Sequence, residues 1–161
     1  MSVDGAAQFV VRPAGSDDAP DMLLALVQEA FRDLPIDPPS SVFKETVADF
    51  ATRLRSQTVF VAQAGAECIG TLFCIRQGEA LYVGRLAVRP DWRRRGVAGA
   101  LIDAAKAHAR NIGTHRMTLN ARIMMPGNVA LFRKHGFAVT GEGTHPGFAA
   151  PTFYTMVLTL A

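Results

Sequence analysis

Apolar residues recur along the chain at two spacings, every second position in some segments and every third or fourth in others. The first spacing, together with many β-branched and aromatic residues, predicts strands. Seven segments have this character: 8–14, 58–64, 68–76, 80–88, 116–122, 137–142 and 152–160. The second and third of these flank a tight turn at Gly65, which predicts an antiparallel hairpin.

The helical spacing predicts two helices in the first third of the chain, each beginning at a serine, a residue that caps helix N-termini well. Ser16 is predicted to cap the first helix, with Asp17 and Asp18 in the first turn, where carboxylates interact favourably with the helix dipole. Ser41 is predicted to cap the second. The apolar sides are formed by Leu23, Leu24, Val27 and Phe31 in the first helix and Phe43, Val47, Phe50 and Leu54 in the second.

Two further helices are predicted, one from Gly96 to Ile112 and a short one from about Gly127 to His135. The apolar stripe of the longer helix consists of Val97, Leu101, Ala104, His108 and Ile112. This helix joins strands 80–88 and 116–122, and such a crossover predicts a parallel strand pair. The order of elements predicts one domain over residues 1–161 with an α+β (mixed α/β) fold, in which one parallel pair interrupts a mostly antiparallel sheet flanked by about four helices.

The charge is distributed unevenly between the two halves of this 161-residue chain. Residues 1–79 carry a net charge of −5 and residues 80–161 a net charge of +8, within a total of +3. The basic half makes an anionic partner plausible, but charge alone does not identify that partner.

Cysteine use and hydropathy favour a cytoplasmic protein. Cys68 and Cys74 lie on one predicted strand, about 20 Å apart, which is too far for a disulfide. No Cys/His cluster indicates a metal site. The N-terminal segment lacks the basic and apolar blocks of a signal peptide, and no apolar run reaches the ~20 residues of a membrane span.

The stretch RRRGVAGA, residues 93–100, lies between a predicted strand and a predicted helix. The first N–H groups of a helix are unpaired and bind phosphate, and small residues there let a phosphate approach the backbone. The stretch is therefore built like a pyrophosphate cradle. The alternatives are a solvated basic turn and a nucleic-acid surface, although the arginines are not interleaved with stacking aromatics. The dinucleotide fingerprint and the P-loop do not match.

The segment LAVRPDWRRRGVAGALIDAA resembles the acetyl-CoA-binding motif of the GCN5-related N-acetyltransferases, the GNAT superfamily. The signature Arg/Gln-x-x-Gly-x-Gly/Ala corresponds to Arg93, Gly96 and Ala98. NVALFRKHGF resembles a later motif of the family, a short helix ending in Gly-Phe. The resemblance covers nearly the whole chain and implies a GNAT-like acyl-CoA N-acyltransferase fold, whose twisted central sheet contains one splayed parallel strand pair.

The resemblance also implies roles for individual residues. The pantetheine arm would pair with the backbone of Leu86, Ala87 and Val88, and the thioester would enter the gap between the splayed strands. The pyrophosphate would be held by backbone N–H groups, those of Arg93, Arg94, Arg95, Gly96, Val97 and Ala98, with Gly99 keeping the turn small. Asn128 either touches the cofactor or caps the short helix.

The catalytic groups are less well specified by the sequence. Many relatives have a tyrosine at the position of Phe132, which cannot donate a proton but can pack against the thioester. Tyr154 is a candidate acid, or else a half-buried strand aromatic. Candidate bases are His145, whose intrinsic pKa suits the task, and Glu79. Each has a purely structural alternative, for His145 a structural or exposed loop residue and for Glu79 a solvated turn.

Arg85 and Arg122 are charges on strands near the expected gap, where they either face solvent or bind an anionic acceptor. The predicted function is acetyl transfer from acetyl-CoA directly to a primary amine of a small-molecule or peptide acceptor. The alternative is a non-catalytic acetyl-CoA-binding sensor or subunit. No nucleic-acid partner, membrane or metal is expected, and the resemblance allows a homodimer.

Overall fold

The computed structural model describes residues 8–160, so the N-terminal segment predicted to lack a signal peptide lies outside the described residues. Seven strands form one sheet in the order β1-β2-β3-β4-β5-β7-β6. The strands are β1 (Val10–Pro13), β2 (Thr58–Ala64), β3 (Glu67–Gln77), β4 (Ala80–Val88), β5 (Arg116–Arg122), β6 (Ala138–Gly143) and β7 (Phe153–Thr159). All neighbouring pairs are antiparallel except β4 and β5, which confirms the predicted fold class and its single parallel pair.

In the part of the chain that the structure describes, four α-helices cover the two faces of this sheet. They are α1 (Pro20–Phe31), α2 (Val47–Ser56), α3 (Val97–Asn111) and α4 (Pro126–Lys134), with short 3₁₀ turns at Ser41–Lys44 and Pro90–Trp92. α1 and α2 share one core with β2, β3 and β4, whereas α3 and α4 share the other. The fully buried Phe50 of α2 contacts the Phe73 ring of β3 edge to face, with centroids 5.3 Å apart. Within residues 8–160, no helix has both the length and the apolarity needed to cross a membrane.

The predicted start of α1 at Ser16 is wrong. The N-cap is Ala19, and Pro20 occupies the first helical position. Asp18 does not sit in the first turn, because its carboxylate accepts hydrogen bonds from the Arg12 side chain and from the Gly15 N–H. Burial would raise the pKa of Asp18, but the hydrogen bond from Arg12, which is the largest effect, lowers it. The aspartate therefore ties β1 to the loop before the helix.

The predicted start of α2 at Ser41 is also wrong. Ser40 caps the 3₁₀ turn, and α2 begins later at a capping box formed by Thr46 and Asp49. Each of these residues accepts a hydrogen bond from the other's backbone N–H. Phe43 and Val47 consequently lie outside the predicted apolar side and are 39% and 44% exposed.

α3 packs closely on the sheet because β3 carries glycine at the contact. A Cβ atom on Gly70 would lie 3.0 Å from Val97 Cγ1 and 3.2 Å from Leu101 Cδ1. Val97 and Leu101 are buried as predicted, but the rest of the buried stripe shifts by one position, to Ala105 and Ala109 in place of Ala104 and His108. Gly70 therefore places the N-terminus of α3 beside the open end of the β4–β5 pair.

Candidate active site

β4 and β5 pair only at their beginnings. The register runs from Ala80 beside Arg116 to Tyr82 beside Thr118 and then stops. Beyond this point β4 stays paired with β3, and β5 stays paired with β7. The edge of β4 from Val83 onward therefore has no strand partner among residues 8–160, and its backbone can accept an extended ligand as an added strand.

A cleft of about 1040 Å³ opens where the two strands diverge. Its walls come from β4, β5, the first turn of α3, the helix α4, the α1–α2 loop and the β6–β7 loop. Leu86, Ala87 and Val88 all line it, as do Val97, Ala98 and Gly99. The open strand edge and the helix N-terminus thus belong to one continuous cavity.

Strand β4 carries a β-bulge at the gap. Thr71 pairs with Ala87 while Phe73 pairs with Gly84, so Leu72 faces two residues, Arg85 and Leu86. Arg85 has φ +53°, a left-handed conformation that is strained for a non-glycine residue. Strain of this kind concentrates at functional sites, where it re-aims the backbone. Nothing in the sequence predicts it, since arginine gives no signal for positive φ.

The Arg85 side chain is hydrogen-bonded to other side chains of the protein. Its Nε donates to the Glu45 carboxylate at 3.0 Å, and Nη2 donates to Ser41 Oγ at 2.8 Å. Glu45 also accepts from Arg53 Nε at 2.7 Å. Burial would raise the pKa of Glu45, but the two guanidinium hydrogen bonds together lower it. Arg85 therefore fastens the bulge to the α1–α2 loop and shares the single Glu45 carboxylate with Arg53.

The first turn of α3 has the geometry of an anion cradle. Gly96 is the N-cap with φ +82°, and a Cβ there would meet no atom within 4 Å. Arg94 is left-handed as well, with φ +63°. The first N–H groups of the helix point out of the turn, where the dipole favours negative charge. The backbone from Gly96 to Gly99 could therefore hold a phosphate.

The three arginines before Gly96 do not act alike. Arg93 Nη2 donates to the Ala30 carbonyl at 2.8 Å, at the C-terminal end of α1. The Arg95 guanidinium lies over the Trp92 ring, 4.7 Å from its centroid. Arg93 and Arg94 line the cleft, whereas Arg95 does not. Arg93 and Arg94 are therefore the two arginines whose side chains could add contacts to an anion in the cleft, because the Arg95 side chain packs on Trp92.

α4 contributes Asn128 and Phe132 to the cleft. The capping alternative for Asn128 is wrong, because the N-cap is Met125 and has no side-chain cap. Phe132 is 8% exposed and contacts the Phe137 ring at a centroid distance of 6.1 Å. Phe132 thus presents an apolar wall rather than a proton donor.

The candidate acid and bases fall in different places. Tyr154 packs against the core and does not line the cleft. Glu79 is 72% exposed, lies in the turn before β4 and approaches His115. His145 does line the cleft, and its Nδ1 contacts the Thr152 hydroxyl. Burial, and then the positive charge of Arg122, lower the pKa of His145, so its imidazole is neutral at pH 7.

Tyr82 is a cleft residue that sequence reasoning missed. It is the last residue of β4 before the strands diverge, and its ring lies over Gly84. Burial raises the pKa of the Tyr82 phenol, so the hydroxyl stays protonated at neutral pH. The signal was present in the sequence, because Tyr82 stands in the strand predicted to border the gap.

Arg122 ends β5 on the opposite side of the gap. It is half-buried and its Nη1 donates to the Pro38 carbonyl at 2.6 Å. Burial lowers the pKa of Arg122, partly offset by Coulomb attraction to Asp37. The predicted solvent-facing alternative is therefore wrong, and the guanidinium stands between the α1–α2 loop and the cleft.

Comparison with known proteins agrees with this geometry. The family model described as the acetyltransferase (GNAT) family matches residues 22–137, most of the chain. The chain belongs to the GNAT acetyltransferase family.

Individual relatives of this GNAT chain are distant. An N-alpha-acetyltransferase MAK3 from Arabidopsis thaliana is 29% identical over 109 residues, which is 65% of this chain. The chain spans only 56% of the length of that relative.

Solved structures share the fold at low identity. The PaiA N-acetyltransferase from Thermoplasma acidophilum, in complex with coenzyme A, has a TM-score of 0.82 at 13% identity, covering 94% of this chain and 99% of that one. The ribosomal-protein-S18-alanine N-acetyltransferase from Escherichia coli has a TM-score of 0.75 at 16% identity, covering 94% and 93%.

Proposed function

We propose that this protein is an acetyl-CoA-dependent N-acetyltransferase that transfers the acetyl group directly to a primary amine. One observation carries the proposal: the unpaired edge of β4 and the N-terminus of α3 line the same cleft. An extended pantetheine arm needs the first feature and a pyrophosphate needs the second. The coenzyme A complex of the Thermoplasma acidophilum relative, which shares the fold, supports this choice of co-substrate.

The cleft residues suit direct transfer, in which the acceptor amine itself attacks the thioester carbonyl and no covalent enzyme intermediate forms. Burial raises the pKa of Cys74 to about 12, so it is not a nucleophile. Cys68 does not line the cleft. Both thiols are free, as predicted, and fit a reducing compartment such as the cytoplasm. Catalysis would rest on positioning the two reactants and on backbone N–H groups that polarise the carbonyl.

Two side chains suit the proton transfers. His145, neutral at pH 7, can accept the proton that the attacking amine loses, directly or through water. Tyr82, protonated at pH 7, can donate to the leaving thiolate from its place at the start of the gap. The proposed general acid is therefore on strand β4, because the position on α4 is occupied by Phe132, which has no proton to donate.

A non-catalytic acetyl-CoA-binding protein is the second candidate, and the apolar Phe132 favours it. The test is thiol release from acetyl-CoA with a panel of primary amines, alongside calorimetric binding of acetyl-CoA. Amine-dependent thiol release supports the enzyme. Tight binding with no release above the no-amine rate for any amine supports the sensor.

The chain's two tyrosines provide a matched pair of variants for the proposed acid. Tyr82→Phe should lower kcat about 10- to 100-fold, the usual contribution of a positioned acid. Tyr154→Phe, outside the cleft, should leave kcat unchanged. Equal effects of the two variants would remove Tyr82 from the mechanism.

A further inference from the structure

The charged side chains that line the cleft have one sign. They are Lys44, Arg85, Arg93, Arg94 and Arg122, and among residues 8–160 no aspartate or glutamate joins them. A site for a cationic acceptor would need carboxylates, since burying a polyamine beside guanidinium groups is repulsive. The cleft wall therefore selects against acceptors that carry extra positive charge.

These basic side chains differ in how far other groups already engage them. Arg85 is paired with Glu45, and Arg93 and Arg94 lie at the α3 cradle, where the proposed co-substrate's phosphates would use them. Arg122 has no carboxylate within ion-pair distance among the described residues, and its one hydrogen bond there goes to a neutral carbonyl. The nearby Asp37 carboxylate attracts Arg122 without forming an ion pair with it, so this half-buried guanidinium can still bind a carboxylate.

The surroundings of Arg122 place this anion site beside the reacting end of the cleft. β5 borders the gap up to Arg122. The positive charge of Arg122 contributes to the lowered pKa of His145 on the β6–β7 loop. The Phe153 ring, which neighbours Arg122 in the sheet, packs edge to face on His145 at 5.2 Å. Arg122 and His145 therefore lie on the same side of the cleft, where the guanidinium could bind an anionic group and the neutral imidazole could accept a proton from an amine.

We propose that Arg122 binds the carboxylate of an amino-acid acceptor while the amine of the same molecule is acetylated. This inference rests on the proposed acetyltransferase function and names the acceptor class. The Arg122–Pro38 hydrogen bond holds the α1–α2 loop against the end of β5, beside the proposed anion site, and this proximity favours a short acceptor over a peptide. Lys44, exposed on the same loop side, adds a second cation.

The experiment compares four amines: L-leucine and L-leucinamide, which differ at the carboxyl group, spermidine as a polycation, and Leu-Gly-Gly as a peptide. Rates are expressed per neutral amine, because the carboxamide makes the leucinamide amine less basic. Thiol release gives kcat/KM for the wild type, Arg122→Gln, Arg122→Lys and Arg116→Gln. Arg116 is the matched control, an exposed arginine at the other end of the same strand. We expect kcat/KM for leucine to exceed that for leucinamide. Arg122→Gln should lower kcat/KM for leucine about 10- to 100-fold by raising KM. Arg122→Lys should retain part of the wild-type kcat/KM, and Arg116→Gln should leave it unchanged.

A second readout separates failure of this inference from failure of the proposed function. The CoA-saturated protein is titrated with N-acetyl-L-leucine and with N-acetyl-L-leucinamide by calorimetry, which requires no turnover. Tighter binding of the acid, lost in Arg122→Gln, supports the anion site even if no amine is acetylated. Equal binding of both products, or equal kcat/KM for leucine, leucinamide and spermidine, overturns it. Preference for Leu-Gly-Gly over leucine overturns the amino-acid assignment.

Discussion

Placing a carboxylate at the α3 N-cap tests the phosphate cradle directly. Gly96→Glu puts a negative charge where the helix N-terminus is proposed to hold the pyrophosphate. Among residues 8–160, apart from its two chain neighbours, no atom lies within 4 Å of a Cβ at this position, so the first carbon of the new side chain has open space. The substitution should therefore act through charge and through the left-handed backbone, and these two effects can be separated.

The backbone effect follows from φ +82° at Gly96. A non-glycine residue in this conformation costs about 1 kcal/mol of folding free energy, which does not by itself change ligand affinity. The charge effect is larger. Two unit charges about 5 to 6 Å apart repel by about 3 kcal/mol at an effective dielectric constant of about 20. This corresponds to a loss of affinity of roughly 100-fold.

The assay is calorimetric titration with acetyl-CoA at low and moderate salt. Gly96→Gln carries the same strain and nearly the same shape without the charge, so it should bind far better than Gly96→Glu. Gly113→Glu is the matched control for charge and strain, since Gly113 has φ +77° and also has open space around it. Gly113 lies past the C-terminus of α3, away from the cleft. The Gly113→Glu variant should therefore bind acetyl-CoA as the wild type does.

Two results would refute the reasoning. If Gly96→Glu binds acetyl-CoA as tightly as Gly96→Gln, the phosphates do not lie at the α3 N-terminus. If Gly113→Glu loses as much affinity as Gly96→Glu, the effect comes from net charge or damaged folding and carries no information about the cradle.

The remaining predictions concern two titrating groups. With His145 as base, kcat/KM should be flat at neutral pH and fall below the lowered pKa of the imidazole, where it becomes protonated. His145→Ala should abolish that acidic limb, whereas His115→Ala, 73% exposed at the far end of β5, should retain it. Glu45→Gln should cost about 1 to 3 kcal/mol at pH 7 by leaving two guanidiniums unpaired. Because the folded-state pKa of Glu45 is lowered, this stabilisation is present above the ordinary carboxyl pKa and lost as pH falls through the lowered value. Urea midpoints should therefore converge in acid, and a constant difference would contradict the assignment; Glu67→Gln, 69% exposed, is the control.

The elements that sequence patterns predicted well are those with strong local signals. The strand–helix–strand order around residues 80–122 predicted the parallel pair, and the resemblance to GNAT proteins implied its divergence; both are present. The start of α2 was also readable, because Thr46 and Asp49 have the spacing of a capping box. Ser41 misled the prediction because it lies within the separate 3₁₀ turn that Ser40 caps.

The features that were missed depend on residues far apart in the chain. Arg93 reaches Ala30 and Arg85 reaches Glu45, contacts that no local pattern reports. The positive φ of Arg85 arises from the bulge and not from a residue preference. Charge counts predicted a basic C-terminal half, but not that Arg85 would share the Glu45 carboxylate with Arg53 while Arg122 has no ion pair within residues 8–160.

The hydrogen bond from Arg93 to Ala30 has a consequence for the order of events in the cleft. The Arg93 guanidinium gives one of its five N–H donors to the Ala30 carbonyl, which leaves the others for an anion in the cradle. One side chain would then hold both the last turn of α1 and the bound anion, and the loop after α1 is the one where Pro38 meets Arg122. We therefore expect acetyl-CoA to change the affinity for the acceptor, and the acceptor to change the affinity for acetyl-CoA by the same factor.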